Sequence, residues 1–168
     1  MVVVPFDIND LKIRQTFLTE ILPDCINNLD ETMQPQWGKL TVQHMVEHLI
    51  WTFELSTGKF DIPFDMPPQQ VRAARMFLRN NRAMPRDFKN PMLSDEPFSL
   101  LYADLDHAKT GFFESLTLFF NHFQTQPDVI HTHPVFGPVG KDDWQRIHFK
   151  HCYHHLLQFG LITESDTI

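Results

Sequence analysis

Apolar positions recur at helical spacing in four long stretches of this chain and one shorter one, with proline- and glycine-bearing segments between them. The first helix is expected to begin after Asn9-Asp10 and run through Leu11, Phe17, Leu18 and Ile21 until Pro23 interrupts it. A polar loop then leads to Thr41, the N-cap of a second helix that continues to about Ser56 and is stopped by Gly58. A shorter helix fills Gln69 to Asn80, and Asn81 to Glu96 is irregular, broken by Pro85 and Pro91. From near Asp104, Phe112, Leu116, Phe119, Phe120 and Phe123 give the next helix a thick aromatic face. The segment from His131 to Gly140 reads as a turn-rich connector. Asp142 or Asp143 opens the last helix, and Gly160 closes it as a C′ glycine. Together these elements predict one all-α domain over residues 1–168, a four-helix bundle with long crossover loops.

The last helix departs from the usual apolar stripe. A helix turns about 100° per residue, so His151 and His155 point in nearly the same direction, with His154 to one side. Trp144, Ile147, His148 and Gln158 share that face, while Asp142, Asp143, Arg146 and Lys150 fall on the back and are expected in solvent. Far upstream His44 and His48 repeat the i, i+4 spacing. Two helices that turn histidine pairs inward provide what a metal site inside a bundle needs.

Composition narrows the chemistry. The net charge of −7, with no basic cluster, argues against a nucleic-acid partner. No apolar run is long enough to span a bilayer, and no signal peptide is read at the N-terminus. Cys25 and Cys152 are too few for a disulfide framework, so a cytoplasmic location is expected.

A His-x3-His pair can give two imidazole nitrogens to one ion, and a facing helix can give a third. The trio selected is His48, His151 and His155, with coordination left open for water or substrate. The competing reading is a set of buried, hydrogen-bonded and inert histidines. Two same-face histidine pairs, with His154 beside the second, favour the metal, since each buried imidazole otherwise needs both a donor and an acceptor. His44 is a candidate fourth ligand, positioning group or general base. His154 is a candidate base or pocket-lining residue, with Glu47 or Glu114 as carboxylate partner. His148 and His133 are candidates for the pocket mouth or the surface, and Gln158 for orienting a ligand. Trp37, Trp51 and Trp144 read as core residues. Gly-rich phosphate loops, G-x-S-x-G and H-E-x-x-H are missing.

Two segments carry a resemblance. Trp37-Gly-Lys-Leu-Thr-Val-Gln-His-Met-Val-Glu-His48, and the stretch from His133-Pro-Val-Phe-Gly-Pro through Trp144 to His151-Cys-Tyr-His-His-Leu-Leu-Gln-Phe-Gly160, resemble the DinB/YfiT-like metalloenzyme superfamily, and within it a DinB-like bacterial branch. The resemblance implies an up-down-down-up four-helix bundle, often a homodimer. It also implies a nickel or zinc ion on one histidine of the second helix and two of the last, which match His48, His151 and His155. His44 is not a usual ligand position there. Relatives in that superfamily include S-transferases and an isomerase that use low-molecular-weight thiols, so a thiol cosubstrate is carried over as an expectation.

Three functions stay open at this point. One is a metal-dependent enzyme acting on a small molecule by thiol transfer, the reacting pocket roofed by residues 81–97 and the 131–140 connector. The second is a metal-dependent hydrolase or isomerase. The third is a non-catalytic metal or small-ligand binding protein.

Overall fold

A computed structural model describes residues 2–86 and 98–164 of the chain. The expected roof of the site therefore falls partly outside the described residues. The first helical rod has three parts: α1 (Leu11–Thr16), a π-helical turn (Phe17–Ile21) and α2 (Leu22–Asn27). The Asp10 carboxylate caps it by accepting from the backbone N–H groups of Lys12 and Ile13. Pro23 does not end this rod, contrary to expectation. The wider turn just ahead of it shifts the hydrogen-bond register, so a residue without an N–H sits at the start of a new α-helical stretch.

The remaining helices are α3 (Val42–Ser56), α4 (Pro68–Arg79), α5 (Leu105–Thr125) and α6 (Lys141–Gln158). The Thr41 hydroxyl accepts from the His44 N–H and the Asp104 carboxylate from the His107 N–H, so both caps are side-chain caps. Helix α6 begins at Lys141 behind Gly140, which places Asp142 and Asp143 in its first turn, where they favour the dipole. Gly160, at φ 65°, follows its C-cap.

Four short strands overturn the all-α four-helix expectation. Strand β1 (Val2–Val4) pairs in parallel with β4 (Ile162–Glu164), and β2 (His131–His133) pairs antiparallel with β3 (Gly137–Val139). The described residues thus form five helical rods and two two-stranded sheets, a mixed α/β arrangement. Three-residue strands are too short for an alternating pattern to stand out, and the β1–β4 pair joins opposite ends of the sequence. The 131–140 connector is accordingly a hairpin, its turn at residues 134–136 followed by Gly137 at φ 69°.

Aromatic rings fill the core between α3, α5 and α6. Phe53 meets Phe112 and Phe119 edge-on at centroid distances of 5.7 and 5.6 Å, and Phe17 meets Phe149 at 4.7 Å. Trp144, Tyr153 and Phe123 are fully buried with them. The back of α6 is not a solvent face. Lys150 is only 2% exposed, and its ammonium donates to the carbonyls of Phe77, Asn80 and Arg82 at 2.6–2.8 Å. Helical phase does not reveal that the C-terminal end of α4 docks there and turns its last carbonyls toward a cation. Arg14 is buried likewise, donating to the Ile8 carbonyl and to Asp142.

Candidate metal centre

Helix α3 carries His48 and α6 carries His151 and His155 to one point. The His48 and His151 Nε2 atoms lie 2.9 Å apart, those of His151 and His155 3.0 Å apart, and all three ligand atoms lie within 4.8 Å of one another. His48 and His155 are buried and His151 is half-buried.

Hydrogen bonding fixes the state of His155. Its Nδ1 lies 2.8 Å from Gln158 Oε1, an acceptor, so the proton sits on Nδ1 and the Nε2 lone pair faces the trio. The Gln158 amide is itself oriented, its Nε2 donating to the Trp37 carbonyl at 2.8 Å. Gly38, at φ 82°, makes room for this arm; a Cβ there would come within 2.7 Å of the Gln158 amide nitrogen. The His151 Nε2 therefore faces a neighbouring lone pair on His155 and the His48 nitrogen as well. One proton on His151 serves two such partners poorly, whereas a cation satisfies all three nitrogens together.

Electrostatics point the same way. Burial, reinforced by the neighbouring histidines, lowers the His151 and His155 imidazoles well below their ordinary value, and burial brings His48 down to about 4. The ligands are neutral at pH 7. An all-imidazole set suits borderline divalent ions such as zinc or nickel, in contrast to magnesium or calcium, which take oxygen ligands.

The other candidates take different places. His44 stands outside the trio: its Nε2–H donates to the Phe98 carbonyl at 3.0 Å, and its Nδ1 accepts from the Thr41 hydroxyl at 2.7 Å. His154 packs edge-on against Trp37 at 5.7 Å and bonds the Met84 backbone; burial lowers it, and that bond partly offsets the shift. Neither expected carboxylate reaches His154. Glu47 instead accepts from the N–H groups of Leu101 and Tyr102, and Glu114 is exposed. Trp144 is core, while Trp37 and Trp51 are half-buried. Cys152 is fully buried and its thiol is pushed well up by desolvation, which makes it inert packing. Sequence reasoning missed the Trp37 carbonyl, whose role depends on a backbone atom and has no residue-type signal.

His148 is neither at the mouth nor at the surface. It is fully buried and stacked on Phe53 at 3.9 Å and 14°, and among the described residues neither ring nitrogen has a partner. His133 accepts from the N–H groups of Val135 and Phe136 and lies against Trp144. Burial brings both imidazoles down to about 3. The unfolded chain takes up protons at these sites as pH falls below the ordinary value of about 6.5, while the fold does not until near 3. Their stability contribution is thus complete above pH ~6.5 and is lost below it, at about 1.4 kcal/mol per pH unit for each histidine. Melting temperature should fall steeply from pH 6.5 to 4.5. His148→Phe, which removes two unpaired nitrogens, should raise the melting point at pH 7 and flatten that slope. A lower melting point for His148→Phe would mean that the nitrogens are satisfied.

A family model described as a protein of unknown function, DUF1569, matches residues 14–160, a span that contains all three histidines of the trio. No curated protein and no solved structure matches the chain.

Proposed function

The chain belongs to the DUF1569 family of proteins of unknown function, and from its own geometry we propose a divalent-metal-dependent enzyme whose ion, nickel or zinc, is held by His48, His151 and His155. The observation that carries this reading is the convergence of three Nε2 atoms, one of them held in the ligating tautomer by Gln158. Three protein ligands leave coordination open, as catalytic sites require and closed structural sites do not. When bound, such an ion lowers the pKa of a coordinated thiol or water and so supplies a nucleophile at neutral pH.

The resemblance to DinB-like proteins favours a low-molecular-weight thiol as cosubstrate, its thiolate sulfur forming a bond to an electrophilic carbon of a small molecule as a leaving group departs from that carbon with the bonding pair. His154 is the residue assigned to proton handling, because it neighbours His155 with ring centroids 5.2 Å apart. His44 is the poorer candidate, since both of its nitrogens are already engaged. Hydrolysis or isomerisation at the same ion is the second reading, and it rests on the same open coordination.

Cobalt substitution distinguishes these readings. Adding a simple thiol such as 2-mercaptoethanol to the cobalt protein should produce a sulfur-to-metal charge-transfer band, because coordination deprotonates the thiol. A spectrum unmoved by thiols but altered by azide would favour the hydrolytic reading. Cobalt held by four histidines and blind to both probes would identify a closed, non-catalytic site.

A further inference from the structure

A second pair of imidazoles meets outside this centre. His122, in the last turn of α5, and His131, the first residue of β2, bring their Nε2 atoms to 2.8 Å, with ring centroids 5.0 Å apart. We propose that this pair is a second, water-accessible site for a borderline divalent cation such as zinc or nickel.

Four observations support it. The ligand atoms face each other as those of the inner trio do, and the pair likewise consists of imidazole nitrogens. Both residues are half-buried, so the rings are held by their surroundings while water can reach the remaining coordination positions. The His131 ring occupies a built notch: Gly58, at φ 77°, follows α3, and a Cβ there would lie 2.4 Å from His131 Cε1. Finally, the pair lies where the C-terminal ends of α3 and α5 meet β2, and the carbonyl ends of helices favour positive charge.

A plain N–H···N bond between the rings is the competing account. It uses one lone pair and one proton, whereas a cation uses both lone pairs and gains from the two helix ends. The nitrogen donors exclude calcium and magnesium as preferred occupants. Among the described residues no third side chain joins the pair, so water completes the coordination and the affinity is lower than at the trio.

Untagged protein, first stripped of metal with a chelator and then titrated with zinc in a calorimeter, tests this. Two binding events are expected, the second roughly tenfold or more weaker than the first. His131→Gln and His122→Gln should each remove the weaker event and leave the tighter one, while His151→Ala should do the reverse. This pattern separates the pair from the inner centre, so loss of one proposal leaves the other standing. Nuclear magnetic resonance of the His122 and His131 rings should show shifts at the second equivalent only. A single wild-type event that both glutamine variants keep and His151→Ala abolishes, or a second event that survives in both glutamine variants, overturns the proposal in favour of the simple hydrogen bond.

Discussion

His151→Ala and His155→Ala are expected to lower divalent-metal affinity by well over 100-fold and to leave the protein essentially metal-free after dialysis. Wild-type protein purified without a polyhistidine tag should retain about one tightly held ion per chain, matching one three-nitrogen centre. His48→Ala should fall with the first two, since all three nitrogens lie within 4.8 Å of one another. Gln158→Ala should be intermediate, by roughly 10–100-fold, because it frees the tautomer of His155 without removing a ligand. His44→Ala should change little, its ring being tied to Thr41 and Phe98. Elemental analysis with competitive chelator titration measures each of these. Wild-type protein that stays empty after incubation with nickel, zinc and manganese would remove the metal centre, and an equal loss in His44→Ala would demand a fourth ligand.

The largest effect on stability is expected at Glu47. The residue is 4% exposed, and its carboxylate accepts from the Leu101 N–H at 2.7 Å, the Tyr102 N–H at 3.2 Å and the Gln43 amide at 3.0 Å. These bonds fasten the segment that leads into α5 onto α3. Glu47→Ala leaves two backbone N–H groups without their carboxylate acceptor and should cost about 2–4 kcal/mol. For a domain of this size that is a melting-point drop of roughly 5–15 °C. Glu47→Gln keeps one acceptor oxygen and should lose about half as much. Both variants should still bind metal, because Glu47 is not part of the histidine group. A melting point for Glu47→Ala within a degree of wild type would show that water replaces the carboxylate without cost.

The helices and the trio were legible because both depend on period. Thr41 caps where the sequence placed a cap, α5 starts near Asp104 as expected, and helical phase brought His151 and His155 to one face before any partner was known. What escaped depends on pieces of chain that meet from afar. Lys150 looked solvent-facing from the phase of α6, and only the arrival of the end of α4 buries it. His148 looked like a residue of the pocket mouth or the surface because a polar side chain is normally a poor core residue, yet Phe53 stacks over it. The β1–β4 pair joins Val2–Val4 to Ile162–Glu164, a pairing that no local pattern encodes. His122 and His131 sit on different elements nine positions apart, with no helical period to link them.

The amide of Gln158 joins two parts of the chain that would otherwise move independently. It fixes His155 on one side and grips the Trp37 carbonyl on the other, and the Gln158 carbonyl accepts the Gln36 N–H at 2.7 Å. Any free energy by which the loop ahead of α3 improves ion affinity must be returned by the ion to that loop, because coupling between two equilibria is reciprocal. An ion bound at the proposed centre would thereby be felt by a surface segment that carries no ligand. Residues 36–38 are therefore expected to report on it: hydrogen exchange should show their amide hydrogens exchanging more slowly with the ion present and faster once it is withdrawn.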